Sequence, residues 1–188
     1  MSHIRATFVS IIATAILAGC MRNPYNPNIS VGIPIVINEF MAANTADSPY
    51  PIFDEFGEAD DWIELYNTGD KPINMQDLYL SDDSNHLAKY ELPNAIIGPH
   101  GYFLVWADHE PEQGPNHAPF MLSATMGEEI ILSVSGGKII DRIQFFPESD
   151  NPEARLPNAS YGRRTDGGDS WCRQAIPSPG RLNNGCWE

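Results

Sequence analysis

Carboxylates supply most of the chemistry available to this sequence. Asp47, Asp54, Glu55, Glu58, Asp60 and Asp61 fall in one stretch in which Gly57 allows a sharp bend, and Asp82 and Asp83 form a smaller group further on. Acids crowded on a connecting segment repel one another unless water or a cation relieves them. Ca2+ suits such a set, because it accepts roughly six to eight oxygens in loose geometry, including backbone carbonyls and Asn side chains. Asp54, Glu58, Asp60 and Asp61, with Asn44 nearby, are therefore candidate ligands for one Ca2+. Their spacing departs from the EF-hand pattern Asp-x-Asp-x-Asp-Gly, and a solvated acidic loop that keeps the protein soluble accounts for the same residues. Glu39 and Glu64 form a second candidate pair. Two carboxylates across a cleft are the equipment of glycoside hydrolysis. Flanking Phe40, Ile63 and Leu65 fit ordinary strand alternation instead, with the two acids turned outward or satisfying backbone amides at a sandwich corner.

Nucleophilic and metal chemistry find little support. Gly168-Asp169-Ser170 resembles the Gly-Asp-Ser start of one lipase family, with His109 or His117 as an imaginable base. That nucleophile belongs near the beginning of an α/β domain, whereas Ser170 lies near the end of the chain beside Trp171 and Cys172, where a polar turn explains it. Neither Gly-x-Ser-x-Gly nor the phosphate-cradling Gly-x-x-x-x-Gly-Lys occurs. His86, His100, His109 and His117 are spread over loop-like segments without metal-ligand spacing, although Asp108-His109-Glu110 could touch a transition metal. Trp62 and Trp106 read as core, while Trp171 and Trp187 either pack on a neighbouring disulfide or stack on a sugar ring. Arg163-Arg164 is a local positive pair in an acidic chain, suited to pairing with the acidic face.

The elements that must position these residues follow from composition and pattern. With 188 residues the chain suits one domain with a real core, and 25 acids against 11 Lys plus Arg give a formal charge of −14. Such a surface repels nucleic acid and anionic lipid head groups, which are normally held by basic clusters. His3 and Arg5 precede an apolar run from Ala6 to Leu17, too short to span a membrane and laid out as a secretory signal. Leu17-Ala18-Gly19-Cys20 resembles the bacterial lipobox, whose Cys is acylated and becomes the mature N-terminus. Residues 1–19 are thus expected to be removed, leaving a lipidated Cys20 and a Pro/Asn-rich tether through residue 34. In an oxidising compartment the remaining pair, Cys172 and Cys186, is most simply a disulfide, since neither has Cys or His neighbours at metal-ligand spacing.

From residue 35 onward no helical period is convincing. Short apolar or alternating runs alternate with turn residues: 35–41, 61–67, 78–81, 88–92, 102–106, 129–134 and 138–145. Ser135-Gly136-Gly137 joins the last two, and glycines there can take the positive φ angles of a tight hairpin. The expectation is one all-β domain over 35–188, built as a β-sandwich.

Several blocks resemble the lamin-tail domain in its bacterial form. They are Ile37-Asn38-Glu39-Phe40-Met41-Ala42-Ala43-Asn44, Asp60-Asp61-Trp62-Ile63-Glu64-Leu65-Tyr66-Asn67, Leu78-Tyr79-Leu80-Ser81-Asp82-Asp83 and Gly101-Tyr102-Phe103-Leu104-Val105-Trp106-Ala107-Asp108. Gly127-Glu128-Glu129-Ile130-Ile131-Leu132, Ser160-Tyr161-Gly162-Arg163 with Asp166-Gly167-Gly168, and Pro179-Gly180-Arg181-Leu182-Asn183 continue in the same order. The resemblance implies an immunoglobulin-like sandwich acting as a non-catalytic docking module. No heptad rod is present, so filament assembly does not carry over, and nor does DNA binding on an acidic surface. The expected protein is a lipid-anchored lipoprotein of the bacterial cell envelope, on the outer membrane if the host is Gram-negative, that docks an envelope protein. A carbohydrate-binding or Ca2+-dependent adhesion module is the alternative, and a hydrolase a more distant one.

Overall fold

Runs of β-branched and aromatic residues separated by Gly, Pro, Asn and Asp favour short extended segments over helices. The computed structural model describes residues 32–124, 128–145, 159–174, 176–183 and 185–186, and none of these is helical. Cys20, the expected signal segment, the part of the expected tether before residue 32 and Trp187 lie outside the described residues. Among the described residues twelve strands are formed: β1 Ile35–Met41, β2 Trp62–Asn67, β3 Ile73–Asn74, β4 Leu78–Ser81, β5 Tyr90–Glu91, β6 Ile96–Ile97, β7 Tyr102–Ala107, β8 His117–Ala118, β9 Glu128–Val134, β10 Lys138–Phe145, β11 Tyr161–Arg163 and β12 Trp171–Arg173.

Two sheets face each other. The larger has six strands in the order β12-β11-β1-β2-β7-β8, the smaller four in the order β10-β9-β4-β5, and β3 pairs with β6 in a separate ribbon. Pairing is antiparallel throughout except between β7 and β8. Ile35, Ile37, Phe40, Ile63, Leu65 and Val105 of the larger sheet pack on Leu78, Leu80, Ile130, Leu132 and Ile143 of the smaller. Each fully buried side chain of this size contributes about 2 kcal/mol. The hairpin β9–β10 turns through Gly136 and Gly137 at φ 87° and 77°, as the sequence implied. Cys172 on β12 is bonded to Cys186, with Cα atoms 5.6 Å apart, so the last segment is stapled to the sheet edge.

Bulges on facing strands tie the two sheets together. On β1 the register passes from Ile37 opposite Leu65 to Glu39 opposite Glu64, leaving Asn38 as the extra residue. A second shift on β10, between Ile139 and Asp141, directs the Asp141 carboxylate across the sandwich edge. Its Oδ2 accepts the Ile37 N–H at 2.8 Å and Arg163 Nη2 at 2.7 Å. Arg163 is buried, also donates to the Ile37 carbonyl at 2.7 Å, and lies 5.1 Å from the Trp171 ring. The expected pairing of this arginine with an acid is therefore met inside the fold rather than on its surface.

The larger sheet is covered on its other face too. Every residue of β2 is buried. Met41, Trp62 and Trp106 form a second apolar cluster there with Ile52 and Leu104, so both tryptophans are core residues as expected, but of this smaller cluster. This overturns one expectation: Glu39 and Glu64 do not face solvent, and both are fully buried.

Candidate functional site

The connection between β1 and β2 supplies the outer cover, and its course is set by one side chain. Asn44 donates from Nδ2 to the carbonyls of Ile52 at 2.5 Å and Asp60 at 2.9 Å, while its Oδ1 accepts the Ile52 N–H at 3.2 Å. That clamp seats Ile52 on Trp62 and Trp106 and forces the intervening loop outward. Asp54 Oδ1 then accepts the N–H groups of Phe56 at 2.9 Å and Glu58 at 2.8 Å, closing a tight bend whose Gly57 has φ 85°. Tyr50, Phe53 and Phe56 are left 49%, 48% and 57% exposed. Large apolar side chains exposed together, rather than singly, are what mark a candidate contact surface.

Beneath them the acids converge. Oxygens of Asp54, Glu58 and Asp60 lie within 4.8 Å of one another. Gln113 Nε2 bridges Glu58 Oε2 at 2.8 Å and Glu110 Oε2 at 2.5 Å. Burial raises the Asp60 carboxyl above its ordinary range, and the charges of Asp108, Asp54, Glu58 and Glu110 raise it further. Asp54 Oδ2, Asp60 Oδ2 and Gln113 Oε1 are closed off from solvent without a hydrogen-bond partner. Asp61, expected in the same set, turns away to accept the backbone N–H groups of Asn44 and Leu122, and burial pushes it up to about 7. Asn44 likewise spends its side-chain oxygen on Ile52. Three of the expected Ca2+ ligands therefore meet, and Asp61 and Asn44 stay apart from them. The second acidic group is dispersed: Asp82 pairs with Lys89 at 2.6 Å, and Asp83 Oδ1 accepts the Asn85 N–H at 2.8 Å.

His117, read from sequence as a loop residue, lies on β8 and is buried. It bonds Asp108 through Nδ1, faces Glu55 Oε1 at 3.4 Å through Nε2, and meets the Phe56 ring edge-on at 5.9 Å. Its sequence neighbourhood does not signal this, because its partners come from two separate segments, Asp108 after β7 and Glu55-Phe56 in the β1–β2 loop. Its place also separates it from Ser170. β8 and the β12 edge beside Ser170 bound opposite sides of the six-stranded sheet, about 24 Å apart at ~4.8 Å per strand. His109 sits by β8 as well, its Nδ1 facing the Pro119 carbonyl at 3.0 Å. The imagined serine–histidine pairing does not form.

At the other side of the outer face, Glu39 and Glu64 are occupied by the C-terminal segment. Glu39 accepts the hydroxyls of Ser160 and Ser178 and the Ser178 N–H at 3.0 Å. Glu64 accepts Asn38 Nδ2 at 2.9 Å and the Gly180 N–H at 2.5 Å. Of the two alternatives for these acids, the satisfaction of backbone amides is the one realised. Burial pushes Glu64 up to about 8 and raises Glu39, despite these donors. A glycosidase pair needs an open cleft between its carboxylates, and a covering turn fills this one.

A two-sheet, antiparallel sandwich with a long loop at one end defines an immunoglobulin-like β-sandwich of the kind that carries function on its connections. The chain matches the Lamin Tail Domain family over residues 30–146 and belongs to that family, a non-enzymatic class of module. The match covers β1 to β10 and ends before the resemblance blocks at 160–163 and 179–183. No curated protein matches the chain. Among the described residues no helix is long and apolar enough to cross a membrane.

The buried acids give this fold an unusual pH response. Glu39, Glu64, Asp60 and Asp61 all have folded pKa values above their unfolded ones. Their contribution is fully present below the unfolded carboxyl pKa and is lost as pH rises through the folded values, about 7 for Asp61 and about 8 for Glu64. The thermal midpoint is expected to be several degrees higher at pH 5.5 than at pH 8.5. Differential scanning calorimetry at constant ionic strength checks this, and the reverse order would contradict the burial of these acids.

Proposed function

We propose that this chain is a cell-envelope lipoprotein whose sandwich is a non-catalytic docking module, with the β1–β2 loop as its contact face. The observation that carries the reading is the half-exposed trio Tyr50, Phe53 and Phe56, held outward by the Asn44 clamp rather than folded into the core. Aromatic anchors on a fixed loop are what protein interfaces use to concentrate binding energy. Asp54, Glu55 and Glu58 alternate with them and favour a partner surface carrying Lys or Arg. The same acids, within a chain of formal charge −14, disfavour nucleic acid.

In this reading residues 1–19 are removed, Cys20 carries the lipid, residues 20–34 form the tether and 35–188 the module. Two acyl chains or more suffice for stable anchoring. Changing Cys20→Ser is expected to abolish incorporation of labelled palmitate and to shift the protein from the membrane to the soluble fraction. Retention of label by the variant would remove the anchor from the proposal.

Photo-crosslinking from the loop in intact cells tests the docking. Tyr50→Ala/Phe53→Ala/Phe56→Ala is expected to lose more than about tenfold of a specific protein adduct, since exposed aromatic hot spots each contribute over ~1 kcal/mol. Its thermal midpoint should fall by no more than a few degrees, because the three side chains are about half exposed and none belongs to either apolar cluster. Undiminished adducts, or retention on envelope polysaccharide instead of protein, would favour the carbohydrate-binding alternative.

A Ca2+-assisted version of the same reading is favoured by one observation, the closed-off oxygens of Asp54, Asp60 and Gln113. Asp54, Glu58 and Asp60 would hold the ion and draw the loop's acids together. Millimolar Ca2+ is then expected to raise the thermal midpoint by several degrees over EDTA, and Asp60→Asn to remove the increment. An unchanged midpoint would leave the acids as a solvated cluster.

A further inference from the structure

Besides the Asn44 clamp and the Gln113–Glu58 hydrogen bond, an imidazole meets the contact face from beneath. His117 has no side-chain exposure, its Nδ1 is bonded to Asp108 Oδ2, and its Nε2 lies 3.4 Å from Glu55 Oε1. Phe56 packs against the same ring at 5.9 Å. Asp108 directly follows β7, whereas Glu55 and Phe56 belong to the outward loop, so this ring joins loop to sheet edge next to the Gln113–Glu58 hydrogen bond.

The chemistry of the contact depends on one proton. A neutral imidazole carries a single N–H, and the Asp108 carboxylate fixes it at Nδ1. Nε2 then presents a lone pair to the Glu55 carboxylate. While the ring is neutral two acceptors face each other at 3.4 Å, and Nε2 is sealed from water. A second proton reverses the sign: Nε2–H donates to Glu55, and the imidazolium stands between two carboxylates. We propose that His117 is a protonation latch, holding the aromatic loop against β8 when charged and releasing it when neutral. The latch deepens the docking reading, on which its biological meaning rests, but it is measurable without a partner.

The groups around the ring favour the charged form. Asp108 and Glu110 face it from the segment after β7 and Glu55 from the loop, and the Tyr90 hydroxyl of β5 bonds the Pro115 carbonyl just before β8. Burial alone disfavours the imidazolium, but the hydrogen bonds and charges of Asp108 and Glu55 outweigh it, and the net shift is upward from 6.5. The latch is therefore closed at mildly acidic pH and opens as pH rises. Asp60 and Asp61 also titrate upward of their ordinary range at the base of this connection. A loss of order with rising pH alone would not separate them from His117.

Glu55→Gln makes the separation, because it leaves Asp60, Asp61 and His117 in place and alters an exposed side chain. A carboxamide donates to neutral Nε2 and accepts from protonated Nε2, so the loop stays held in both states. The experiment is amide hydrogen exchange over residues 50–58 of the full chain in detergent with EDTA, corrected for intrinsic rates, at pH 5.5 and 8.5. Wild type is expected to show several-fold greater protection at pH 5.5, with a midpoint that follows the His117 ring proton shifts, and Glu55→Gln to show equal protection at both. Equal wild-type protection at the two pH values, or an unchanged pH dependence in Glu55→Gln, would overturn the latch. Crosslinking by the aromatic variant is read at one fixed pH, so failure of docking and failure of the latch are distinguishable.

Discussion

A sheet buried on both faces needs two covers, and only one of them here is another sheet. The inner face of the six-stranded sheet meets the four-stranded one across an apolar core. The outer face is roofed by connections: the loop from β1 to β2 on one side and the segment after β12 on the other. Connections carry polar side chains and unpaired backbone groups, so roofing a sheet with them brings polarity into the interior. Most distinctive features of this protein follow from that requirement.

Under the C-terminal segment the polarity is answered by carboxylates. The backbone N–H groups of Ser178 and Gly180 have no strand to pair with, and Glu39 and Glu64 accept them. Two acids placed opposite each other on neighbouring strands and sealed from water cannot both remain ordinary carboxylates, which is why burial raises both. Arg163 serves the complementary need at the sandwich edge. Its guanidinium binds a strand carbonyl, a turn carbonyl and Asp141, and Asp141 in turn holds the Ile37 amide. The disulfide then fixes the roofing segment to β12.

Under the β1–β2 loop the answer is different. Asn44 clamps the base, Ile52 plugs the apolar cluster, and the remaining aromatics and acids are turned outward. The six-stranded sheet is covered on both faces, whereas Lys138, Gln144 and Glu91 of the four-stranded sheet are exposed. The arrangement places three large aromatic side chains, a cluster of acids and a buried histidine at one end of the molecule. Loops positioned by a rigid scaffold are where binding residues concentrate in β-sandwich folds.

The strands with strong side-chain signals were legible without coordinates. Tyr102 to Trp106, the hairpin around Gly136 and Gly137, and the pairing of Cys172 with Cys186 all follow from residue type and short-range spacing. The two-residue strands were not, because β3, β6 and β8 are too short to show alternation. Reading Glu39 and Glu64 as outward-facing failed for a definite reason: a period of two assigns a residue to a face but does not say whether that face is dry. The acidic loop was visible as composition, yet only folding sent Asp61 inward and left Asp54, Glu58 and Asp60 together. Sequence alone thus determined the all-β class, the core strands, the hairpin and the acid-rich connection, because these depend on local preference and periodicity. Which acids are buried, which aromatics stand free and what surrounds His117 were decided by tertiary structure, because each depends on segments far apart in the chain meeting over one face of a sheet.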